Sequence, residues 1–326
     1  LADAKYGRVQ TVDTLHFTGG LRGVRAEGGW RLGPFLRDDR LAELGPVREV
    51  DIKATAVELK VHIFGADEAV QLEPHLISRI WRPLVGLEAR GKLPADTWAN
   101  IAHRASEAGD EVYAQLARYL SVCLRASDIR LRDISDGYGT QLLAALAKRT
   151  EVGKRFANLP LADIHLAIHS FVAEMGAARD YLAAIVGRQL GAPASKDSLA
   201  RLVDWLEADA RKEQAATPVA LALTKSWPED AKDPWLRQLT AYRNLFLHRG
   251  PMGAQGMGSA PSLVAADSSF GEVRSLLLPI PRRDEAEDTI DALTEFVRLH
   301  RQMLHLAADL ADHSPFPGTP RVVRIE

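Results

Sequence analysis

The sequence lacks several features that would have decided its chemistry early. Cysteine occurs once, at Cys123, so neither an intrachain disulfide nor a cysteine-based zinc site can form. That thiol sits in an apolar stretch with Leu120, Val122 and Leu124, which reads as a buried, inert cysteine in a reducing compartment. An excess of one charge is missing too. The 41 Lys and Arg residues against 43 Asp and Glu leave a net charge of -2, so no global field attracts nucleic acid and any RNA contact must use a local basic patch. No stretch resembles a signal peptide and no apolar run reaches the length of a membrane span, so a cytoplasmic protein without a membrane partner is expected. Also absent are a Gly-x-Ser-x-Gly elbow, a Walker-type lysine and a Gly-x-Gly-x-x-Gly turn between strand and helix. No internal repeat or heptad array is present.

Hydrophobic residues make up 46% and charged residues 26% of 326 positions, the balance of a globular chain with room for two domains. The first 70 residues alternate. Val9, Thr11, Leu15 and Phe17 precede Gly19-Gly20, and Gly28-Gly29-Trp30 opens another extended candidate. Val50, Ile52, Ala54 and Ala56, then Val57, Leu59, Val61 and Ile63, continue the alternation with a one-residue shift. That pattern predicts a bulge or two consecutive strands in a small sheet.

From about residue 72 the spacing turns helical. Leu76, Ile77, Ile80 and Trp81 suit one helix, Thr97–Ile101 begins another after Pro94, and 108–125 is a third. Asp136-Gly137-Tyr138-Gly139 reads as a loop or helix start, with a helix over 140–150. Asn158-Leu159-Pro160 marks the expected boundary, giving domains over 1–155 and 156–326. The second half reads as a bundle. A long helix spans Leu161–Leu190, and shorter ones span Ser198–Ala210 and Pro218–Ser226. A helix capped by Asp233 with Pro234 at its first position runs to Arg249. A Gly- and Ser-rich loop follows to about Ser268, then an irregular Leu276–Ile280 and a final helix over Glu285–His313.

The segment with most chemistry is Ala241-Tyr242-Arg243-Asn244-Leu245-Phe246-Leu247-His248-Arg249-Gly250-Pro251. It puts a permanent cation, an amide and a titratable imidazole within about two turns of one helix. Asn244 and His248, four apart, share a face, so the amide can orient the imidazole. Arg243 and His248, five apart, are separated by roughly 140° around the axis; a second copy of the helix across a two-fold axis would supply matching groups. A histidine in the last turn is favoured as imidazolium by the helix dipole, which suits a general acid. The Arg243 fork matches phosphate oxygens.

The stretch from Arg243 to His248 resembles the Arg-x4-6-His motif of the HEPN superfamily, with the common polar residue directly after the arginine. The long helix carrying Ala178-Arg179-Asp180-Tyr181 is similar to the first helix of such domains. The resemblance covers roughly residues 160–314 and implies a dimerising four- or five-helix bundle with the two motifs face to face. It further implies a metal-independent endoribonuclease in which Arg243 and His248 are catalytic and Asn244 supports them. Such enzymes use the RNA 2′-hydroxyl as nucleophile and leave a 2′,3′-cyclic phosphate and a 5′-hydroxyl. Many belong to toxin or antiphage systems, while others serve only as binding or scaffold domains.

The expected fold is therefore α+β and mostly α: a small N-terminal β region, a helical middle and a C-terminal HEPN-like bundle. Tyr242, Arg249 and Arg282 are the expected substrate contacts, with Arg283 beside them. No metal or other cofactor is implied. His165 and His169 are four apart, but the segment reads His-Leu-Ala-Ile-His and no third ligand is evident. His300 and His305 read as surface or interface residues. Expected partners are RNA, a second copy through the C-terminal bundle and a regulatory protein. A non-catalytic RNA-, nucleotide- or protein-binding role, with Arg243 as phosphate anchor, stands beside the enzyme reading.

Overall fold

The computed structural model describes residues 11–37, 40–73, 76–84, 93–254, 256–280 and 290–320. The fold is mostly α with an antiparallel N-terminal sheet. The chain divides into two compact units that interleave in sequence. One holds Leu1–Val85, Leu131–Ala167 and Met252–Val297; the other holds Gly86–Arg130, Ile168–Pro251 and Arg298–Glu326. These units do not part at residue 155; the divisions at 130/131, 167/168 and 297/298 fall inside helices.

The first unit is built on a six-stranded sheet in the order β4-β3-β2-β1-β5-β6. Its strands are β1 (Thr11–Phe17), β2 (Arg22–Ala26), β3 (Gly29–Arg37), β4 (Arg40–Val47), β5 (Ile63–Glu73) and β6 (Leu76–Pro83). All pairings are antiparallel. A short helix, α1 (Ile52–Glu58), replaces the strands expected over 50–59. Burial explains the change: Ile52, Thr55, Ala56 and Leu59 point inward at helical spacing, while Val50 and Val57 are 80% and 75% exposed. The apparent alternation came from small alanines. Conversely, 76–83 is a strand and not a helix, because it completes the sheet by pairing with β5 from Gly65↔Pro83 to Glu73↔Leu76. Val9 lies outside the described residues.

A hairpin of β7 (Ser262–Ser268) and β8 (Gly271–Leu277) also belongs to this unit. It corrects the long loop expected to Ser268. Leu263, Val273 and Leu276 are its buried anchors, and the Ser- and Ala-rich strands around them hid the period. Asp136–Gly139 lies inside α3 (Glu111–Ala147) and is not a loop. The glycine at 137 serves close packing: a methyl there would stand 2.3 Å from Cγ1 of Ile164. Tyr138 is fully buried and donates its hydroxyl to Asp291 at 2.8 Å.

The second unit holds helices and, among its described residues, no strand. It contains α2 (Pro94–Glu107), the start of α3, most of α4 (Leu161–Gln189), α5 (Leu199–Leu206), α6 (Lys212–Ala215), α7 (Pro218–Thr224), α8 (Trp235–His248) and most of α9 (Ala292–Asp312). Residues 285–289, expected to open the last helix, lie outside the described residues. Ile168, Phe171, Met175, Leu182, Ile185 and Val186 form the buried stripe of α4. Each such side chain contributes about 1.5–3 kcal/mol on burial. Trp98 is sealed in the core and still satisfied, donating Nε1–H to the Ala307 carbonyl at 2.8 Å. No helix among the described residues is long and apolar enough to cross a membrane.

Candidate functional site

Helix α8 begins after Pro234 and ends at His248, with Arg249 and Gly250 both donating backbone N–H to the Leu245 carbonyl. Asp233 does not cap it; its carboxylate accepts from Arg298 at 2.9 Å and Gln302 at 3.1 Å. Within the second unit α8 packs antiparallel to α4. His169 stacks on Phe246 with centroids 6.1 Å apart, Gly176 lies against Arg243, and Arg179 donates to Thr240. Gly176 makes the contact possible: a methyl there would lie 2.6 Å from Cδ and 3.0 Å from Nε of Arg243.

This packing opens a cavity of about 330 Å³ in which Arg243 meets Arg179, Asp180, Asp197, Arg201 and Trp227, among others. Arg179 is buried and saturated. Its Nε and Nη2 donate to Asp180 Oδ1 at 3.0 and 2.8 Å, and Nη1 donates to the Thr240 hydroxyl. Asp180 also accepts the Leu199 backbone N–H at 3.3 Å, so it sits at the N-terminus of α5. Arg201 donates to Asp197 at 2.9 Å. Among the described residues, the half-buried Arg243 guanidinium has no hydrogen-bond or ion-pair partner. Three guanidiniums face two carboxylates, a balance of +1 that belongs to Arg243.

Asn244 and His248 are exposed and do not line the cavity. They share a helix face as expected, but among the described residues no hydrogen bond joins them. Arg249 is exposed, and Tyr242 stacks on Phe246 at 6.0 Å with planes 7° apart. Arg282 and Arg283 lie outside the described residues. The cavity partners Thr240, Arg201 and Trp227, and Gly176 packed against Arg243, escaped sequence reasoning. One signal was available: Gly176, Arg179 and Asp180 have the i, i+3, i+4 spacing of one helix face.

The first unit holds a different polar cluster. The Ser135 hydroxyl faces His16 Nδ1 at 3.1 Å, and His16 Nε2 faces Asp67 at 3.0 Å. The order resembles a nucleophile, base and acid. Ser135 is 0% exposed, however, so no substrate reaches it. Among the described residues, His16, Asp67 and Asp136 also form a group of metal-ligating side chains whose ligand atoms lie within 4.8 Å. The cation position is already taken: Arg79 donates to Asp67 and, at 2.7 Å, to Asp136.

Burial holds His16 down at about 4, against the pull of its hydrogen bond to Asp67. The ring is therefore neutral at pH 7, and both nitrogens are used. Burial also brings Arg22, which pairs with Asp136, down to about 10. The Asp67 carboxyl is pushed up by burial, but hydrogen bonds from His16 and Arg79 outweigh this and hold it below the usual range.

The remaining candidates are structural. His300 is not a surface residue; it is 1% exposed and bonds Asp128 at 2.7 Å. Cys123 is buried, and burial pushes its thiol up to about 12, which makes it unreactive. No family model, curated protein or solved structure matches this chain.

Proposed function

We propose that the protein binds single-stranded RNA with a backbone phosphate on Arg243, and that a homodimer cleaves it without a metal ion. The observation that carries this reading is the Arg243 guanidinium, without a partner among the described residues, in a cavity of net charge +1. A half-buried cation without a counter-ion is costly unless an anion completes it, and a planar fork suits phosphate. The exposure of His248 in the last turn of α8 supports a second role. There it is open to a symmetry mate.

In this reading the 2′-oxygen attacks phosphorus, the bond to the 5′-oxygen breaks, and protonated His248 gives its proton to that oxygen. The 2′-hydroxyl proton leaves to solvent. Arg243 offsets the charge that builds on the phosphorane. In this reading the two groups acting on one phosphate come from different copies, which suits the roughly 140° between positions 243 and 248. Asn244 and Arg249 flank His248 on the exposed side.

The test is cleavage of single-stranded RNA by the wild type, Arg243→Ala and His248→Ala in the presence of chelator. Cleavage by the wild type alone, with cyclic phosphate ends, is expected. Loss of wild-type cleavage on chelation would overturn the reading. The angular separation within one chain favours a second reading, in which the cavity binds RNA and cuts nothing. RNA binding that depends on Arg243 without product would establish it.

A further inference from the structure

The Arg243 cavity contains more than a phosphate anchor. Trp227 is its aromatic wall. The residue follows α7, is half-buried, and is braced by Arg237. That guanidinium lies 5.3 Å over the ring and donates Nε–H to the Trp227 carbonyl at 2.7 Å. An indole held in place beside an anion site is a platform for a flat π-system, and an adjacent arginine strengthens stacking. Nothing in the cavity's hydrogen bonding occupies it.

The two carboxylates set a limit on charge. Asp180 is committed to Arg179 and to the start of α5. Asp197 neutralises Arg201. The remaining +1 matches a phosphodiester, which carries one negative charge. A phosphomonoester carries close to two at pH 7, and its second charge would face Asp180 and Asp197 without compensation. A cavity of about 330 Å³ is at the lower end for a small-molecule site and suits one nucleotide unit.

We infer that Trp227 is a base-stacking subsite beside Arg243, and that Asp197 is a charge filter favouring a phosphodiester within a chain over free nucleotides and phosphorylated ends. This rests on the reading of Arg243 as a phosphate anchor.

The experiment measures binding of four ligands at pH 7.5. They are a deoxydinucleotide with one internal diester, an abasic diester of the same charge, a nucleoside 5′-monophosphate and inorganic phosphate. The deoxy sugar removes the 2′-hydroxyl, so no cleavage interferes. The wild type is expected to hold the dinucleotide most tightly. Trp227→Ala should weaken the dinucleotide roughly tenfold and leave the abasic diester unchanged, with Trp227→Phe restoring most of the loss. Asp197→Asn leaves three guanidiniums against one carboxylate. It should tighten the 5′-monophosphate about threefold with little change for the dinucleotide.

Equal losses for both diesters on Trp227→Ala, or no loss, would overturn the stacking subsite. Equal changes for mono- and diester on Asp197→Asn, or none, would overturn the filter. In either case, Arg243-dependent binding of the dinucleotide would leave the anchor standing. If the wild type binds none of the four, the anchor and the inference fall together. Thermal unfolding of each variant separates a binding defect from loss of fold.

Discussion

Two polar clusters, one in each unit, use the same residue types to opposite ends. In the first, hydrogen bonds and ion pairs join His16, Ser135, Asp67, Arg79, Asp136 and Arg22, with carboxylates and guanidiniums in balance, although Oδ1 of Asp67 has no partner among the described residues. In the second, Arg179 and Arg201 are matched by Asp180 and Asp197, but Arg243 is left over among the described residues. A triad-like order of side chains is therefore a poor guide to function when its members are bonded to their neighbours and sealed from solvent. A single unmatched charge in a cavity is a better one, because its counter-ion must come from outside.

The comparison is most sharply tested by removing an acid from the closed cluster. Asp67→Ala strips His16 and Arg79 of their shared acceptor and should cost about 3–5 kcal/mol, measured by urea unfolding. Arg243→Ala should change stability by less than about 0.5 kcal/mol, because no partner is stranded. A similar loss for both would erase the distinction between the clusters.

The pH dependence of stability follows from the same contrast. His16 titrates near 6.5 when unfolded and at about 4 when folded. The unfolded chain therefore binds the extra proton between those values. Stability is full above pH 6.5 and falls as pH drops toward 4, by about 3 kcal/mol from this group. His16→Gln should flatten that part of the profile, and a profile unchanged by the substitution would contradict a neutral buried ring.

A subtler lever is Gly176, where fold and site pull apart. Ala is a better helix former than Gly by about 1 kcal/mol, but its methyl must displace the Arg243 side chain. Gly176→Ala should leave the melting temperature unchanged or slightly raised while weakening RNA binding about fivefold. A variant that binds as well as the wild type would show that the position of Arg243 does not matter.

The sequence was legible where burial follows one period. The α4 stripe from Ile164 to Val186, the stop of α8 at Gly250-Pro251 and the helix after Pro94 are all present in the structure. It misled where small residues imitate a pattern, as with Ala54 and Ala56 in α1, or where glycine serves packing, as with Gly137 inside α3. His300 looked exposed because nothing local announces its bond to Asp128, 172 positions away. Arg243 could be read as a candidate from its own helix. Its surroundings could not, since Trp227 and Arg201 line the cavity from separate segments and Gly176 packs against Arg243 from a third. The resemblance to HEPN domains supplied the chemistry of His248 and Asn244, both exposed and outside the cavity.

The most direct measurement is the affinity of wild-type and Arg243→Ala protein for a single-stranded RNA made non-cleavable by 2′-O-methylation, taken across a series of salt concentrations. The account predicts that the variant binds about tenfold more weakly, with a salt dependence shallower by about one ion. Identical affinities and slopes for the two proteins would contradict it.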